Sequence, residues 1–384
     1  MIVESADHLD LKIAKKSVPL AYVALDDEIY VISSGTANRW PGEVLRQRAA
    51  IASINGKEKS VAANLVYDAD KVKKVKRLME QKYGSENYAR WFSNISRVIS
   101  LKESNDVWMI KGEGNYNRWL TEEFNSIAHD YDRHIYGNFV NNYLRERSVS
   151  LMKGFFSDCP KLMEIGSGTG TETIAMLRDG HEITAIDISE RMNQILLDKA
   201  RIQHLENSLK TLTMKASDLE IHVNDLGEES FDGIYSNYGA LNCEPDLEKI
   251  MITFNRILKP GGKLVFGIFN KLCLSEMIAH VIGIKPRRVF ERLSNRVSEG
   301  SSRFCIDVFP YSPMYLRKLF AKWFTIEEIY GCPVILPPSN YASVMEWRID
   351  ASKIKKADIL FSDKWPFKYL GDHTLYLLSK NRIS

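Results

Sequence analysis

The glycine-rich segment at residues 162–171 limits the fold of this chain more than any other segment. Its sequence, LMEIGSGTGT, places Gly166, Gly168 and Gly170 directly after a short apolar run. The apolar run predicts a buried strand, and glycines let the backbone turn tightly while a ligand comes close to it. A strand that leads through such a turn into a helix is typical of an open α/β sheet.

Strand and helix patterns alternate on both sides of this turn. Because strands separated by helices form βαβ units, the pattern predicts a parallel sheet. The predicted helices lie at about residues 120–128, 139–156 and 171–179, and the predicted strands at 161–165, 182–187 and 375–379.

The spacing of the glycines points to a particular class of protein. The third glycine comes two places after the second, and Glu164 stands two places before the first. This variant resembles motif I of class I S-adenosylmethionine-dependent methyltransferases of the type 11/25-like group. The resemblance implies a doubly wound, Rossmann-like sheet with an antiparallel last strand. It also implies that the turn, including Ser167, binds the amino-acid end of the cofactor, since helix N-terminal amides attract a carboxylate. Glu164 would meet the cofactor's ammonium group directly or through water.

An acidic residue, Asp187, follows about 20 residues after the first glycine, at the end of the next predicted strand. A carboxylate there can accept both ribose hydroxyls of an adenosine. Ile188 and Met192, just beyond it, would flank the adenine. The alternative is that Asp187 is only a turn or cap residue.

Three later segments fit the same family. KASDL at residues 215–219 resembles the loop that contacts the adenine amino group, which makes Asp218 the candidate, with Ser217 and Leu219 beside it. A solvated loop aspartate is the alternative. SFDGIYSNYGALN at residues 230–242 resembles the fourth strand and its loop, which bring Asn237 and Tyr238 to the carboxyl edge of the sheet. ILKPGGKLVF at residues 257–266 matches the family's helix, turn and fifth strand.

The segment FNSIAHDYD at residues 124–132 resembles the entrance helix of small-molecule methyltransferases, with Asn125 in place of the usual acid. The resemblance implies that Tyr131 closes over the methionine part of the cofactor. An aromatic residue of the core is the alternative.

Methyl transfer from a sulfonium is an in-line displacement, so its main requirement is a near-attack geometry without water. A general base helps only when the acceptor is a hydroxyl or an ammonium group. The candidates are His129, His134, Tyr238 and His373, each with a purely structural role as the alternative. We expect the acceptor pocket in residues 271–310, which are rich in arginine, and in residues 332–372, which are rich in aromatics. The basic residues would attract an acidic substrate or form a solvated helix face, and the aromatic residues would form a lid.

The first 112 residues follow a different, strand-rich pattern. Apolar runs at 18–34, 49–54, 60–67, 97–102 and 106–111, with an Asn55-Gly56 turn and a helix at 69–81, predict an antiparallel meander. The polar segment GEGNYN at residues 112–117 predicts a joint between domains. We therefore place a small β-rich domain at residues 1–112 and the methyltransferase domain at 113–384.

The segments YVALDDEIYV, RW, INGK and KYG, which begin at residues 22, 39, 54 and 82, resemble the split β-barrel group of pyridoxamine phosphate oxidase-like and deazaflavin-dependent proteins. The resemblance covers about a quarter of the chain and implies a flavin or deazaflavin, with Arg39, Trp40 and Lys57 as residues to test. The alternative is a domain that serves dimerisation, as a homodimer, or shapes the neighbouring active site.

The composition of the chain limits the partners, cysteine chemistry and compartment that we expect for it. A net charge of +3 over 384 residues does not call for nucleic acid or a membrane as partner, and the five scattered cysteines suggest neither disulfides nor a metal site. No signal peptide or membrane span is expected, which predicts a cytoplasmic protein. Three alternatives stay open: an RNA or protein methyltransferase, a flavin- or deazaflavin-dependent reductase with an accessory methyltransferase domain, and a non-catalytic scaffold. A nucleic-acid amino-methyltransferase would carry N-P-P-Y where this chain has Asn237-Tyr238-Gly239.

Overall fold

The computed structural model describes most of the chain as two compact units, one that ends at Asp130 and one that begins at Tyr131. The described residues are 8–13, 16–26, 28–34, 40–47, 49–66, 68–92, 96–103, 113–137, 139–282, 291–293, 308–336 and 351–381.

The first unit contains a seven-stranded sheet in which every neighbouring pair of strands is antiparallel. Its order is β2-β1-β5-β6-β7-β4-β3. The strands are β1 (Leu9–Ile13), β2 (Lys16–Leu20), β3 (Tyr22–Leu25), β4 (Glu28–Ser34), β5 (Ala49–Ile54), β6 (Lys57–Leu65) and β7 (Ser96–Glu103), and the helices are α1 (Trp40–Gln47), α2 (Ala69–Tyr83) and α3 (Ser85–Trp91).

The prediction of a simple meander is wrong for this sheet. Strand β1, which the sequence patterns did not reveal, pairs with β5, so β4 pairs with the distant β7 instead. Local patterns do not encode such long-range pairing. The Asn55-Gly56 turn between β5 and β6 is confirmed, with φ of 51° and 76°, and Val75 and Met79 of α2 pack on the core residues Tyr30 and Val98. The strand predicted at 106–111 lies outside the described residues, as does Arg39.

The joint predicted at residues 112–117 is wrong from Glu113 onward, because helix α4 spans Glu113–Tyr136. Gly114 and Asn115 are weak helix formers. Extending an existing helix nevertheless adds one backbone hydrogen bond for each residue that it fixes, which offsets their weak propensities. Residues of α4 up to Asp130 belong to the first unit and those from Tyr131 to the second.

The second unit is built on a seven-stranded sheet of order β10-β9-β8-β11-β12-β14-β13. The strands are β8 (Lys161–Ile165), β9 (Glu182–Asp187), β10 (Leu209–Thr213), β11 (Phe231–Ser236), β12 (Leu258–Phe269), β13 (Phe324–Cys332) and β14 (His373–Lys380). Only β14 runs against its neighbours. This Rossmann-like topology, with an antiparallel last strand in sequence, is the predicted one.

Helices cover both faces of this sheet. Along β8 and β11, Leu162 and Tyr235 belong to one core cluster, whereas Met163 and Ile234 belong to the other. Burial on both faces explains why these strands are continuous apolar runs. The helices are α5 (Phe139–Phe155), α6 (Thr171–Leu177), α7 (Glu190–Ile202), α8 (Val223–Leu226), α9 (Leu247–Ile257), α10 (Leu274–Ile282), α11 (Pro313–Phe320) and α12 (Ala351–Phe361).

The order of the strands reverses at β8, since β9 lies on one side of it and β11 on the other. Open α/β sheets bind ligands in the crevice at the carboxyl ends of the strands at such a switch point. None of the helices in the described part of the chain combines the length and apolarity needed to cross a membrane.

Candidate active site

The glycine turn between β8 and α6 depends on its glycines for both conformation and space. Gly166, Gly168 and Gly170 have φ of 74°, 53° and 82°, a region that other residues rarely adopt. A Cβ on Gly166 would lie 2.2 Å from Cβ of Ala240, and one on Gly170 would lie 2.1 Å from Cδ1 of Leu196. The first and third glycines therefore let the turn pack against the β11 loop and helix α7.

The carboxyl-terminal end of α4 lies on this turn. The ring of Tyr131 is 3.7 Å from the position that a Cβ would take on Gly168. Asp132 accepts a hydrogen bond from Oγ1 of Thr169 at 2.5 Å and pairs with Nζ of Lys199 at 2.5 Å. Lys199 also donates to the carbonyl oxygen of Thr169 at 2.8 Å. Sequence reasoning assigned no role to Asp132 or Lys199, although Asp132 ends the quoted entrance motif.

Asp187 ends β9 beneath the turn. Its two carboxylate oxygens accept one backbone N–H each, from Gly168 and Ser189, both at 2.8 Å. Burial raises its pKa to about 6, although the two backbone hydrogen bonds act to lower it. Asp187 is thus a turn residue, and its two oxygens keep further lone pairs for a ligand. Ser189 caps α7 by accepting from the N–H of Met192.

The predicted adenine contacts lie on neighbouring segments. Ile188 is half-buried and Met192 is buried. Asp218 pairs with Lys215 at 3.5 Å, in a 3-10 helix in which Leu219 is fully buried.

Ser217 has a partner that the sequence patterns did not reveal. Its backbone N–H donates to Oε1 of Glu244 at 3.4 Å. Glu244 is buried, and burial raises the pKa of its carboxyl group.

Glu164 is buried below the glycine turn. Its Oε2 accepts hydrogen bonds from the hydroxyls of Tyr235, at 2.9 Å, and Thr173. Burial, with the nearby charge of Glu172, raises the pKa of Glu164 to about 8. The carboxyl group is therefore mostly protonated at neutral pH in the ligand-free protein, and an ion pair with an ammonium group requires that it lose this proton.

An arginine that sequence reasoning missed lies at the centre of the site. Arg145 of α5 is buried and binds both carboxylate oxygens of Glu172, with Nη1 2.6 Å from Oε2. Its guanidinium carbon lies 4.6 Å from the ring centroid of Tyr238, and it hydrogen-bonds Tyr131. One signal was available, because Arg145 shares the helical spacing of the buried Asn141 and Ser148.

The loop after β11 places two of the predicted residues at the sheet edge. Tyr238 has a φ of +54°, and its hydroxyl lies 2.6 Å from Oγ of Ser148. Asn237 donates to Sδ of Met152 at 3.3 Å. Its Oδ1 is buried and, like Oγ of Ser167, has no hydrogen-bond partner among the described residues. A buried polar atom without a partner costs about 1–3 kcal/mol, so both atoms suit a polar ligand.

The three histidines among the candidate bases lie in different surroundings. His373, at the start of β14, has its ring centroid 6.2 Å from that of Tyr238, and its Nδ1 lies 3.1 Å from Oδ2 of Asp372. His129 is exposed on the part of α4 that belongs to the first unit. The side chain of His134 lies outside the description.

The segments expected to form the acceptor pocket are only partly described. In the first, Arg292 is buried and pairs with Glu276 and with Asp372, so neither an exposed attractor nor a solvated face describes it. In the second, Phe361 and Phe367 stack edge to face, whereas Trp365 is 79% exposed. The basic residues Lys285, Arg287, Arg288 and Arg296 of the first segment and the aromatic residues Tyr341 and Trp347 of the second lie outside the described residues.

Comparison with known proteins agrees with this geometry. Residues 163–266, from within β8 into β12, match a family model described as a methyltransferase domain. This part of the chain is therefore similar to a methyltransferase domain. Motif I, the strand-end aspartate and the β11 loop all lie within the matched residues.

Among the relatives, a demethylmenaquinone methyltransferase of Tropheryma whipplei is 26% identical over 220 residues, which cover 56% of this chain and 82% of that protein. A malonyl-[acyl-carrier protein] O-methyltransferase of Bacillus cereus is 28% identical over 193 residues, 49% of this chain and 65% of the relative. A solved structure, the 1,6-didemethyltoxoflavin-N1-methyltransferase of Burkholderia thailandensis, is 15% identical with a TM-score of 0.45 and covers 71% of this chain and 92% of its own.

Proposed function

We propose that this protein transfers the methyl group of S-adenosylmethionine to a small-molecule acceptor by in-line displacement. The observation that carries the proposal is the pair of buried, unpartnered polar atoms, Oγ of Ser167 and Oδ1 of Asn237. They lie on the glycine turn and on the β11 loop, the two segments that meet at the switch point of the sheet. A ligand with polar groups on both sides would satisfy them.

Different residues around this crevice would bind different parts of the cofactor. The amides of Gly168 and its neighbours would hold the amino-acid end of the cofactor, and Asp187 would accept the ribose hydroxyls. Ile188 and Met192 would flank the adenine, with Asp218 at its amino group. Tyr131 would close over the methionine part. When bound, the cofactor supplies an electrophilic methyl group, and the protein's task is to orient the acceptor and exclude water.

We further propose that the acceptor is a small molecule and not a nucleic acid. The names of several relatives point to quinone biosynthesis, for example the ubiquinone/menaquinone biosynthesis C-methyltransferase UbiE of Vibrio campbellii, which is 27% identical over 168 residues. The rings of Tyr238 and Phe269 beside His373 suit an aromatic or otherwise planar acceptor.

For the first unit we propose a role in dimerisation or in shaping the active site, within a split-barrel-like sheet. Of the residues chosen for a flavin test, Trp40 is buried and Lys57 is exposed. A flavin would require Trp40 to give up its core position. Sedimentation of the full chain tests dimerisation, and a yellow colour of the purified protein would favour the flavin instead.

Incubation of the full chain with methyl-labelled S-adenosylmethionine and a metabolite extract tests the proposed function. We expect label in one small-molecule product, and none with Asp187→Ala. Asp232→Ala, at the opposite edge of the sheet, should keep the activity and serves as the matched control. If the wild-type protein binds the cofactor but labels no metabolite, the result would contradict the proposed methyl transfer to a small molecule.

A further inference from the structure

A histidine and an aspartate form a dyad at the carboxyl edge of the second sheet. Nδ1 of His373 lies 3.1 Å from Oδ2 of Asp372, and the other oxygen, Oδ1, accepts from Nη2 of Arg292 at 2.6 Å. Because a carboxylate can only accept, the proton of a neutral His373 imidazole lies on Nδ1, and Nε2 is then the nitrogen that carries the lone pair. The imidazole is therefore oriented as a proton acceptor.

The free nitrogen faces the loop that follows β11. Nε2 of His373 lies 3.8 Å from the position that a Cβ would take on Gly239. It has no hydrogen-bond partner in the described part of the chain. Tyr238 and Phe269 flank the imidazole edge to face, with ring centroids 6.2 and 5.6 Å away. The base thus opens toward the loop of the proposed methyl-transfer site and between aromatic rings.

Arg292 holds the aspartate of the dyad in place. Its guanidinium group binds the carboxylates of Asp372 and Glu276, and its carbon Cζ lies 3.9 Å from the ring centroid of Phe269. Burial raises the pKa of Asp372, but Arg292 and His373 outweigh burial and hold the pKa well below its ordinary value. Asp372 is therefore charged at any working pH. This charge keeps the imidazole in one tautomer.

The same cluster brings the thiol of Cys273 within 4.8 Å of Glu276 and Asp372. The positive charge there is already supplied by Arg292, which pairs with both carboxylates, so we assign no metal to it. The other ionisable groups near His373 are Tyr238 on the β11 loop and Cys332, its register partner on β13. Burial raises the pKa of both, so both stay neutral.

We propose that His373 is the catalytic base that takes the proton of an aromatic hydroxyl acceptor, with Asp372 and Arg292 as positioning residues. This inference rests on the proposed function. Nε2 of His373 accepts the hydroxyl proton while an electron pair of the acceptor forms a bond to the methyl carbon. The bond between the methyl carbon and sulfur breaks, and its electron pair stays on sulfur. The products are the methylated acceptor, S-adenosylhomocysteine and an imidazolium that returns its proton to water.

The need for a base distinguishes two classes of acceptor. A carboxylate is already an anion and needs no base. A phenolic hydroxyl holds its proton at neutral pH, and the phenol is a weak nucleophile until this proton is removed. A positioned base contributes about 10²- to 10⁴-fold to such a step. A His-Asp dyad held by a buried arginine therefore favours a hydroxyarene over a carboxylic acid.

The test uses 4-hydroxyacetophenone, a phenol whose absorption moves to longer wavelength when it loses its proton. The probe is added at neutral pH to the full chain loaded with S-adenosylhomocysteine. We expect the phenolate band with the wild-type protein and its loss with His373→Gln. Asp372→Asn should weaken the band and Asp372→Glu should restore it. A merely structural role of Asp372 would not give this pattern.

His222→Gln is the matched control, because His222 also pairs with an aspartate, Asp225 at 3.5 Å, but on an exposed surface. It should keep the phenolate band. The absence of the band with the wild-type protein, or an equal band with His373→Gln, would overturn the proposal. Binding of S-adenosylhomocysteine is measured by calorimetry on the same samples. If the cofactor binds but the phenolate band is absent, the base role of His373 is wrong; if the cofactor does not bind, the proposed function is wrong.

Discussion

Replacement of Asp187 by asparagine separates the stability of the protein from its affinity for the cofactor. In the folded chain the carboxylate accepts the N–H groups of Gly168 and Ser189. Asparagine has one acceptor oxygen, so one of these N–H groups loses its partner at a cost of about 1–3 kcal/mol. The buried charge of Asp187, which the substitution removes, itself lowers the free energy of unfolding of the wild-type protein. A folded-state pKa of about 6, against the ordinary 3.8, corresponds to about 3 kcal/mol at neutral pH.

The two effects oppose each other, so we expect the free energy of unfolding of Asp187→Asn to stay close to the wild-type value at pH 7. The pH dependence has a definite sign. The unfolded wild-type chain releases the Asp187 proton at lower pH than the folded chain does, so this group's contribution to stability is present at low pH and is lost as pH rises through about 6. The variant lacks this loss.

Affinity should respond differently. Exchange of charge-assisted hydrogen bonds to the two ribose hydroxyls for neutral ones should cost about 2–3 kcal/mol, which is about 30- to 150-fold in Kd. Wild-type affinity should also fall as pH drops below about 6, where Asp187 takes up its proton, whereas the variant should lack this step and keep only the pH dependence that Glu164 gives both proteins.

Calorimetric titration with S-adenosylhomocysteine between pH 5 and pH 8, beside urea unfolding, measures both quantities. Asp232→Asn is the matched control, because Asp232 also accepts a backbone N–H, that of Lys161 at 3.0 Å, but at the amino end of its strand. Equal affinities of the wild-type and Asp187→Asn proteins at pH 7 would refute the ribose role.

Three further substitutions test the surroundings of the turn by urea unfolding. Gly170→Ala adds a Cβ at 2.1 Å from Leu196 at a φ of 82°, and should lower the free energy of unfolding by about 2–5 kcal/mol; an unchanged value would show that the turn relaxes. Glu164→Gln should abolish the loss of stability that the wild type shows as pH rises from the ordinary 4.5 through about 8, because the unfolded wild type releases that proton first; equal slopes would contradict the raised pKa. Arg145→Met leaves Glu172 buried without its partner and should cost about 3–5 kcal/mol, much of which the added change Glu172→Gln should restore; no recovery in the double variant would contradict the pairing.

Much of the second unit was predictable from the sequence because its signals are local. Strands β8 and β9 were predicted with their observed bounds. Each is a short apolar run that ends at a glycine turn or an acidic residue. The positive φ of Gly166, Gly168 and Gly170 follows from the same turn. A family resemblance then supplied the order in which such strands assemble.

The features that the sequence did not reveal depend on residues that are far apart in the chain. The pairs Arg145–Glu172 and Asp132–Lys199 join different helices, and β1 takes its place through pairing with β5. Periodicity shows which face of a helix is buried but not which charge it meets there. His373 could be named as a candidate, but its orientation by Asp372 and Arg292 required the fold.

Equilibrium dialysis of the full chain against methyl-labelled S-adenosylmethionine tests most directly whether the crevice at the switch point of the second sheet binds this cofactor. We predict one molecule bound per chain, displaced by S-adenosylhomocysteine and not by NAD. No retained label with folded protein, or equal displacement by NAD, would contradict the assignment of the site.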